Sequence, residues 1–265
     1  MSAGLLVVAL VSVGAGCRSK RDKNQLAQKV RSEAREKLND SPPLIVKGTD
    51  NEFTVQDKRG KMILSAKVER VAGAVAQGQG LEGPVKMYKA KCRLYEDGKP
   101  HMDMESDEAT WDGKQLSTQA PAHGVTTDGK MIVDGQRAVW TAETGHLDLK
   151  TAKLQAMKGK KVDFTAEGPH AEVHNRVATL NSGAKAYNPQ GQQLTSRRAK
   201  WWLDTGILHA DGDVVILDQQ TRVTGEHLRS NTRLKRGKIS GGTRVHMARA
   251  PVGKSGPKMA KRKNR

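Results

Sequence analysis

Between Phe53 and Met247 the apolar residues come in short runs that alternate with polar ones, and the three-to-four spacing of an amphipathic helix is absent. The alternation is clearest in Leu147-x-Leu149 and Val162-x-Phe164 and looser in Val214-Val215-Ile216-Leu217. A period of two turns one face of a strand to the core and the other to water. The runs are separated by Asp-Gly, Thr-Gly and Asn-containing turns, whose residues tolerate the positive φ of tight hairpins. The pattern predicts an all-β domain over 44–247, built as a meandering antiparallel sheet.

The runs also repeat. Ala138-x-Trp140-x-x-Glu143-Thr144-Gly145 and Ala199-x-Trp201-x-x-Asp204-Thr205-Gly206 share one pattern and lie 61 residues apart. Ala109-x-Trp111-Asp112-Gly113, Ala171-x-Val173-x-Asn175 and Leu228-x-x-Asn231 are partial copies, giving successive spacings of 29, 33, 28 and 29 residues. A unit of that size holds two strands of about 7–10 residues with their turns.

Composition limits what such a sheet encloses. The chain is 36% hydrophobic, with four Trp, three Tyr and two Phe, which is too sparse for one thick core and too polar for a polytopic membrane protein. The sheet is therefore expected to fold over itself into a flattened roll with an apolar interior and open ends. The interior positions are Trp111, Trp140, Leu149, Phe164, Val173, Trp201, Leu208, Val214 and Ile216. Each serves either as core or as a contact to an apolar ligand, and in an open roll the two roles overlap.

No Ser/His/acid arrangement or paired-carboxylate motif stands out, so no catalytic residue, enzymatic activity or cofactor is expected. His170 and His174 are four apart, but Gly168-Pro169 and the strand pattern deny them a shared helical face, and no metal site is expected. Gly78-x-Gly80-x-x-Gly83 matches a dinucleotide fingerprint as a string. Pro84 follows at once and no helix opens there, so the segment reads as an insertion in the first repeat. Two cysteines, Cys17 and Cys92, exclude a disulfide scaffold.

The formal net charge is +18, placed unevenly. Eight Lys/Arg fall in 18–37 and six in 254–265, leaving 32 basic and 24 acidic residues over 41–253, a milder +8. Basic flanks read as solvated termini or as a response to an anionic surface. A polyanion or nucleic-acid binder is thus one alternative function, and a structural β-solenoid of the cell envelope is another. Against the former, the aromatics sit at repeat-fixed positions instead of interleaving with charge.

The apolar stretch 5–15 has the length of a signal-peptide core and is short for a membrane span of about 20 residues. Val13-Gly14-Ala15-Gly16-Cys17 resembles the lipobox of bacterial lipoproteins, which implies lipidation at Cys17; a transmembrane anchor completed by an upstream start is the alternative. The expected organisation is a targeting or anchor segment over 1–17 and a polar tether over 18–43, closed by Ser41-Pro42-Pro43. The β-domain follows over 44–247, then a basic disordered tail over 248–265. In the tether, Leu26, Val30, Ala34 and Leu38 recur every four residues, the spacing of a modest amphipathic helix.

Three stretches resemble the family of the lipopolysaccharide-transport component LptC. They are Phe53-x-Val55-x-Asp57-x-x-Gly60-Lys-x-Ile63-x-Ser65-Ala66-Lys67, then Leu94-Tyr-Glu-Asp-Gly98-Lys with Met104-x-Ser106-Asp-Glu-Ala109-x-Trp111-Asp-Gly113. The third, Gly206-x-Leu208-x-Ala210-x-Gly212-Asp213-Val214-Val215-Ile216, is similar also to the related LptA/OstA domain. The resemblance covers about residues 50–247 and lies in spacing and turn chemistry. It implies a periplasmic β-jellyroll open along one side like a folded taco. It further implies a non-enzymatic bridge that shields lipopolysaccharide acyl chains in an apolar groove between inner and outer membranes. Implied partners are lipopolysaccharide or a related glycolipid, other jellyroll proteins of the system paired edge to edge, and an inner-membrane ABC transporter. No nucleic acid is expected, and the implied location is the periplasm, anchored at the inner membrane in preference to the outer. Basic residues such as Arg197, Arg198, Lys200, Lys160 and Lys161 are candidates to attract phosphates at the groove rim. The candidate pairing edges are the strand near Phe53–Ser65 and the one near Arg233–Met247.

Overall fold

A computed structural model describes residues 44–47, 52–57, 59–72, 75–76, 80–81, 84–219, 221–234 and 237–247. The chain divides after residue 41, and all described residues belong to the second unit. The expected targeting segment over 1–17 with Cys17, the whole tether over 18–43 and the basic tail over 248–265 lie outside the described residues, as do Gly78 and Gly83.

Every described element is a strand, and all but one short hairpin join a single antiparallel sheet. No helix among the described residues is long and apolar enough to cross a membrane. Twelve rungs follow in chain order, spanning 62–72, 85–96, 99–111, 115–126, 131–141, 146–158, 161–174, 177–187, 193–202, 207–218, 221–231 and 237–247. Each pairs with the next, so the meander expected from the turns is present. The exception is the hairpin Val75–Ala76 with Gly80–Leu81, inside the segment that reads as an insertion.

Each rung is bent. In Val85–Glu96 the buried residues run Val85, Met87, then Ala90, Cys92, Leu94, so the inward parity flips at Lys89, which holds φ +49°. In His146–Lys158 the flip falls between Leu149 and Ala152, at Thr151 with φ +50°. In Ile207–Asp218 the bend takes Gly212 and Asp213, against one residue fewer on the next rung. These are β-bulges: one extra residue turns the strand and exchanges its faces. Elsewhere the strand breaks at the same line, and Arg197 N donating to Gly212 O at 2.8 Å and Gly183 N to Arg197 O at 2.8 Å carry the ladder across it. The bulges align into a crease that divides the sheet into two half-sheets facing each other over one core.

The repeat now has a geometric meaning. Ala109-x-Trp111, Ala138-x-Trp140, Ala171-x-Val173 and Ala199-x-Trp201 all lie on one half-sheet, on every second rung, with Ala beside the crease and the larger residue toward the opposite lip. We call this the Trp-bearing half-sheet. The spacing of 28–33 residues is one rung out and one rung back.

The first candidate edge needs correction. Leu44–Lys47 pairs outside Glu52–Gln56, so the strand at Phe53 is internal to its half-sheet. Among the described residues the last rung, Gly237–Ser240 and Arg244–Met247, pairs only on its inner side, and Val245 and Met247 are exposed.

Candidate functional site

The structure places all nine predicted interior residues inside the roll. Trp111, Trp140, Leu149, Val173, Trp201 and Leu208 come from the Trp-bearing half-sheet; Phe164, Val214 and Ile216 come from the facing one. Eight of them are 0–6% exposed, and Ile216 packs partly buried against them. They form one continuous cluster rather than an empty trough. Trp111 and Trp140 stand 6.4 Å apart on neighbouring repeats. Phe164 meets Trp201 edge to face at 5.0 Å and so ties the two half-sheets across the core.

Two features break the apolar packing. The indole N–H groups of Trp111 and Trp201 are buried without an acceptor among the described residues. A buried donor left unpaired costs about 1–3 kcal/mol, so an acceptor delivered into the core gains that much back. The second feature is a cavity of about 130 Å³ between the lips of the two half-sheets. Its apolar wall is Met131, Ala156, Val173 and Trp201, and its rim carries Glu96, His101, Asp128, Lys130, Arg176 and Asp204. Val173 and Trp201 are the predicted interior residues that reach the opening.

Turn residues supply the rim because hairpin tips end at the lips. Burial acts to raise the carboxyl of Asp128, but the Thr126 hydroxyl at 2.7 Å, the Lys130 N–H at 3.0 Å and the Lys130 ammonium hold it below its ordinary value. Arg176 and Asp204 form an ion pair between adjacent tips. Such an opening, charged at its lip and apolar within, is shaped for a molecule with a polar head and a hydrocarbon chain. At about 130 Å³ it is smaller than the roughly 300–1,000 Å³ of ordinary ligand pockets, so a large ligand requires the lips to part.

The lips are latched nearer the carboxyl end. Asn188, 4% exposed, donates from Nδ2 to Arg233 O at 2.8 Å across the mouth and to Gln192 Oε1 at 2.9 Å. Its Oδ1 accepts from the N–H groups of Gln190 at 3.1 Å and Gln192 at 3.2 Å, closing its own tip. Sequence reading missed Asn188, which in the chain is one polar residue in a turn.

The basic rim candidates do not gather at the mouth. Arg197 sits at the crease, on the opposite side of the roll, paired to Asp213 at 2.9 Å. Arg198 and Lys200 lie on the outer surface of the Trp-bearing half-sheet, and Lys160 and Lys161 occupy a hairpin tip. Among the described residues, one trio could hold a metal: Asp148, His170 and Glu172 place ligand atoms within 4.8 Å of one another on the outer face. His170 Nε2 is already bonded to Asp148 at 2.8 Å, and Asn181 donates to Glu172 at 3.3 Å, so the trio's polar atoms are partnered internally. Cys92 is a free, buried thiol in the core, pushed up to about 12 by desolvation.

Neither models of known protein families nor curated proteins match this chain.

Proposed function

We propose that this chain is a non-enzymatic carrier of amphipathic lipid, holding acyl chains between two half-sheets of an open antiparallel β-jellyroll of the taco type. The observation that carries the reading is the cavity between the lips, with a wall of Met131, Ala156, Val173 and Trp201 under a charged rim. A continuous apolar interior along twelve rungs supports it, because each CH₂ removed from water contributes about 0.8 kcal/mol. The unpaired indoles of Trp111 and Trp201 support it too, since an ester or hydroxyl oxygen of an acyl chain would give them acceptors.

The resemblance to the LptC family directs the choice of cargo to lipopolysaccharide or a related glycolipid, moved from inner to outer membrane. In that reading the protein sits in the periplasm, anchored through its amino terminus by a lipid on Cys17 or by a membrane span. Its last rung, unpaired on one side among the described residues, offers an edge to another jellyroll protein, and an ABC transporter supplies the energy. The tight interior favours a structural envelope role as the second reading, because eight of the nine interior residues are 0–6% exposed.

Tryptophan fluorescence of the chain titrated with lipid A, at low and high salt, separates these. A saturable change that survives salt and is competed by acylated lipids but not by DNA is expected of a carrier. A response that salt abolishes and DNA matches overturns it, and no response favours the structural role.

A further inference from the structure

The outer face of the roll is charged in two contrasting ways. On the facing half-sheet, residues directly opposite one another on consecutive rungs read Lys91, Glu105, His123, Asp134, Lys153, Glu167, Lys185. Basic and acidic side chains alternate at each step from Lys91 to Lys185, with contacts of 3.2 Å for Lys91–Glu105 and 2.7 Å for His123–Asp134. Such a row neutralises itself, as opposite charges across a ladder stabilise and like charges destabilise.

On the Trp-bearing half-sheet the last four rungs break that rule. Lys200 faces His209, His209 faces Arg229, and Arg229 faces Lys238, all outward. Adjacent strands lie about 4.8 Å apart, so the ladder is about 14 Å long. None of the four makes an ion pair with a described residue. Asp211, outward on the same strand as His209, is held by His227 Nδ1 at 2.8 Å. A second row runs alongside: Val177 faces Trp202 and Trp202 faces Ile207, each half-buried on the same outer face. The Trp202 ring stands edge-on to His209, with centroids 4.7 Å apart.

We infer that this pair of rows docks the outside of the protein onto an anionic phospholipid surface. The ladder meets lipid phosphates, and the apolar row, with its tryptophan, meets the interfacial zone beside them. With no described carboxylate paired to this row, its counter-ions are external, and the row differs from the like-charged pair Arg137 and Lys150 in having the tryptophan-bearing apolar row beside it. The chain beyond residue 247 adds seven Lys/Arg and no acid, so the same end of the sequence brings further attraction to that surface. Nucleic acid fits less well, because the one aromatic here already packs its ring against His209 and offers no series of stacking faces. The inference concerns the outer face and stands apart from the cargo assigned to the interior.

The test is co-sedimentation of the full chain with vesicles of phosphatidylcholine and phosphatidylglycerol at roughly three to one, comparing wild type with R229Q/K238Q and the control K153Q/K185Q. Each basic residue near such a surface contributes about 1 kcal/mol, so R229Q/K238Q is expected to bind about 25-fold more weakly while the control changes little. Relief of the like-charge row is expected to raise the melting temperature of R229Q/K238Q by about 2 °C, so weaker binding cannot be laid to unfolding. Equal losses in both variants, or no loss in R229Q/K238Q, overturn the inference. So does displacement of the protein by inorganic phosphate at matched ionic strength, or binding to a single-stranded oligonucleotide that R229Q/K238Q weakens while leaving vesicle binding intact.

Discussion

Replacing Asn188 by Asp separates the two tasks of that side chain. The acceptor oxygen survives, so the tip bonds from Gln190 and Gln192 at 3.1 and 3.2 Å are kept. The donor is lost, and a carboxylate oxygen then faces Arg233 O and Gln192 Oε1, which are 2.8 and 2.9 Å from Nδ2 in the native chain. Leaving a buried acceptor unpaired costs about 1–3 kcal/mol. Crowding a carboxylate between two oxygens adds to this and raises its folded pKa above the ordinary value of about 3.9. The unfolded carboxyl therefore releases its proton first. Stability relative to wild type is near its best below about pH 4, where the protonated acid can donate to Arg233 O, and falls as pH rises through the elevated folded pKa. At neutral pH the expected loss is about 2–3 kcal/mol, or about 4–12 °C in melting temperature. Asn188→Ala, which loses both tasks, is expected to cost about as much with no pH dependence of its own. Thermal melts of the three proteins from pH 3.5 to 8 read both effects. An Asn188→Asp curve parallel to wild type at all pH values would refute the argument that the donor bond to Arg233 latches the lips.

Three further outcomes are expected. Phe164→Ala removes the edge-to-face contact at 5.0 Å that joins the half-sheets, and a loss of about 3–5 kcal/mol should lower the melting temperature by about 6–20 °C; a drop under 3 °C contradicts a packed core there. Cys92, with its thiol pushed up to about 12, should resist thiol reagents at pH 8 until denaturant opens the core, whereas rapid labelling of native protein would show that its strand breathes. Thr151→Gly should stabilise by about 0.5–1 kcal/mol, because a β-branched residue at φ +50° is strained and glycine is not; a lower melting temperature would mean that the Thr151 hydroxyl bond to Gln136 at 3.2 Å matters more than the strain.

The strands and their meander were legible because a period of two and Gly-bearing turns are local properties. The repeat was legible because Ala-x-Trp recurs on every second rung of one half-sheet. The crease was not. Each bulge flips the inward parity by a single residue, so Leu147, Leu149, Ala152 and Leu154 read along the chain as a faltering alternation when they are one buried row. The looseness at Val214–Leu217 has the same cause, the bulge at Gly212-Asp213. The nine interior residues were legible as apolar positions. Whether they enclose a groove depends on how closely two half-sheets approach, which no run of sequence states. The rim escaped notice because Asp128, Arg176 and Asp204 are turn residues brought to one mouth by rungs far apart in the chain. Basic residues chosen from sequence as a rim fell elsewhere, since Arg197 is held at the crease by Asp213.

The central claim is that acyl chains lie between the half-sheets. Photo-crosslinking tests it most directly, with benzoylphenylalanine placed at Val173, on the cavity wall, or at Thr179, outward on the adjacent strand of the same half-sheet. In the presence of lipid A, irradiation is expected to join lipid to the protein labelled at 173 and not at 179. Crosslinks from 179 with none from 173 would contradict it.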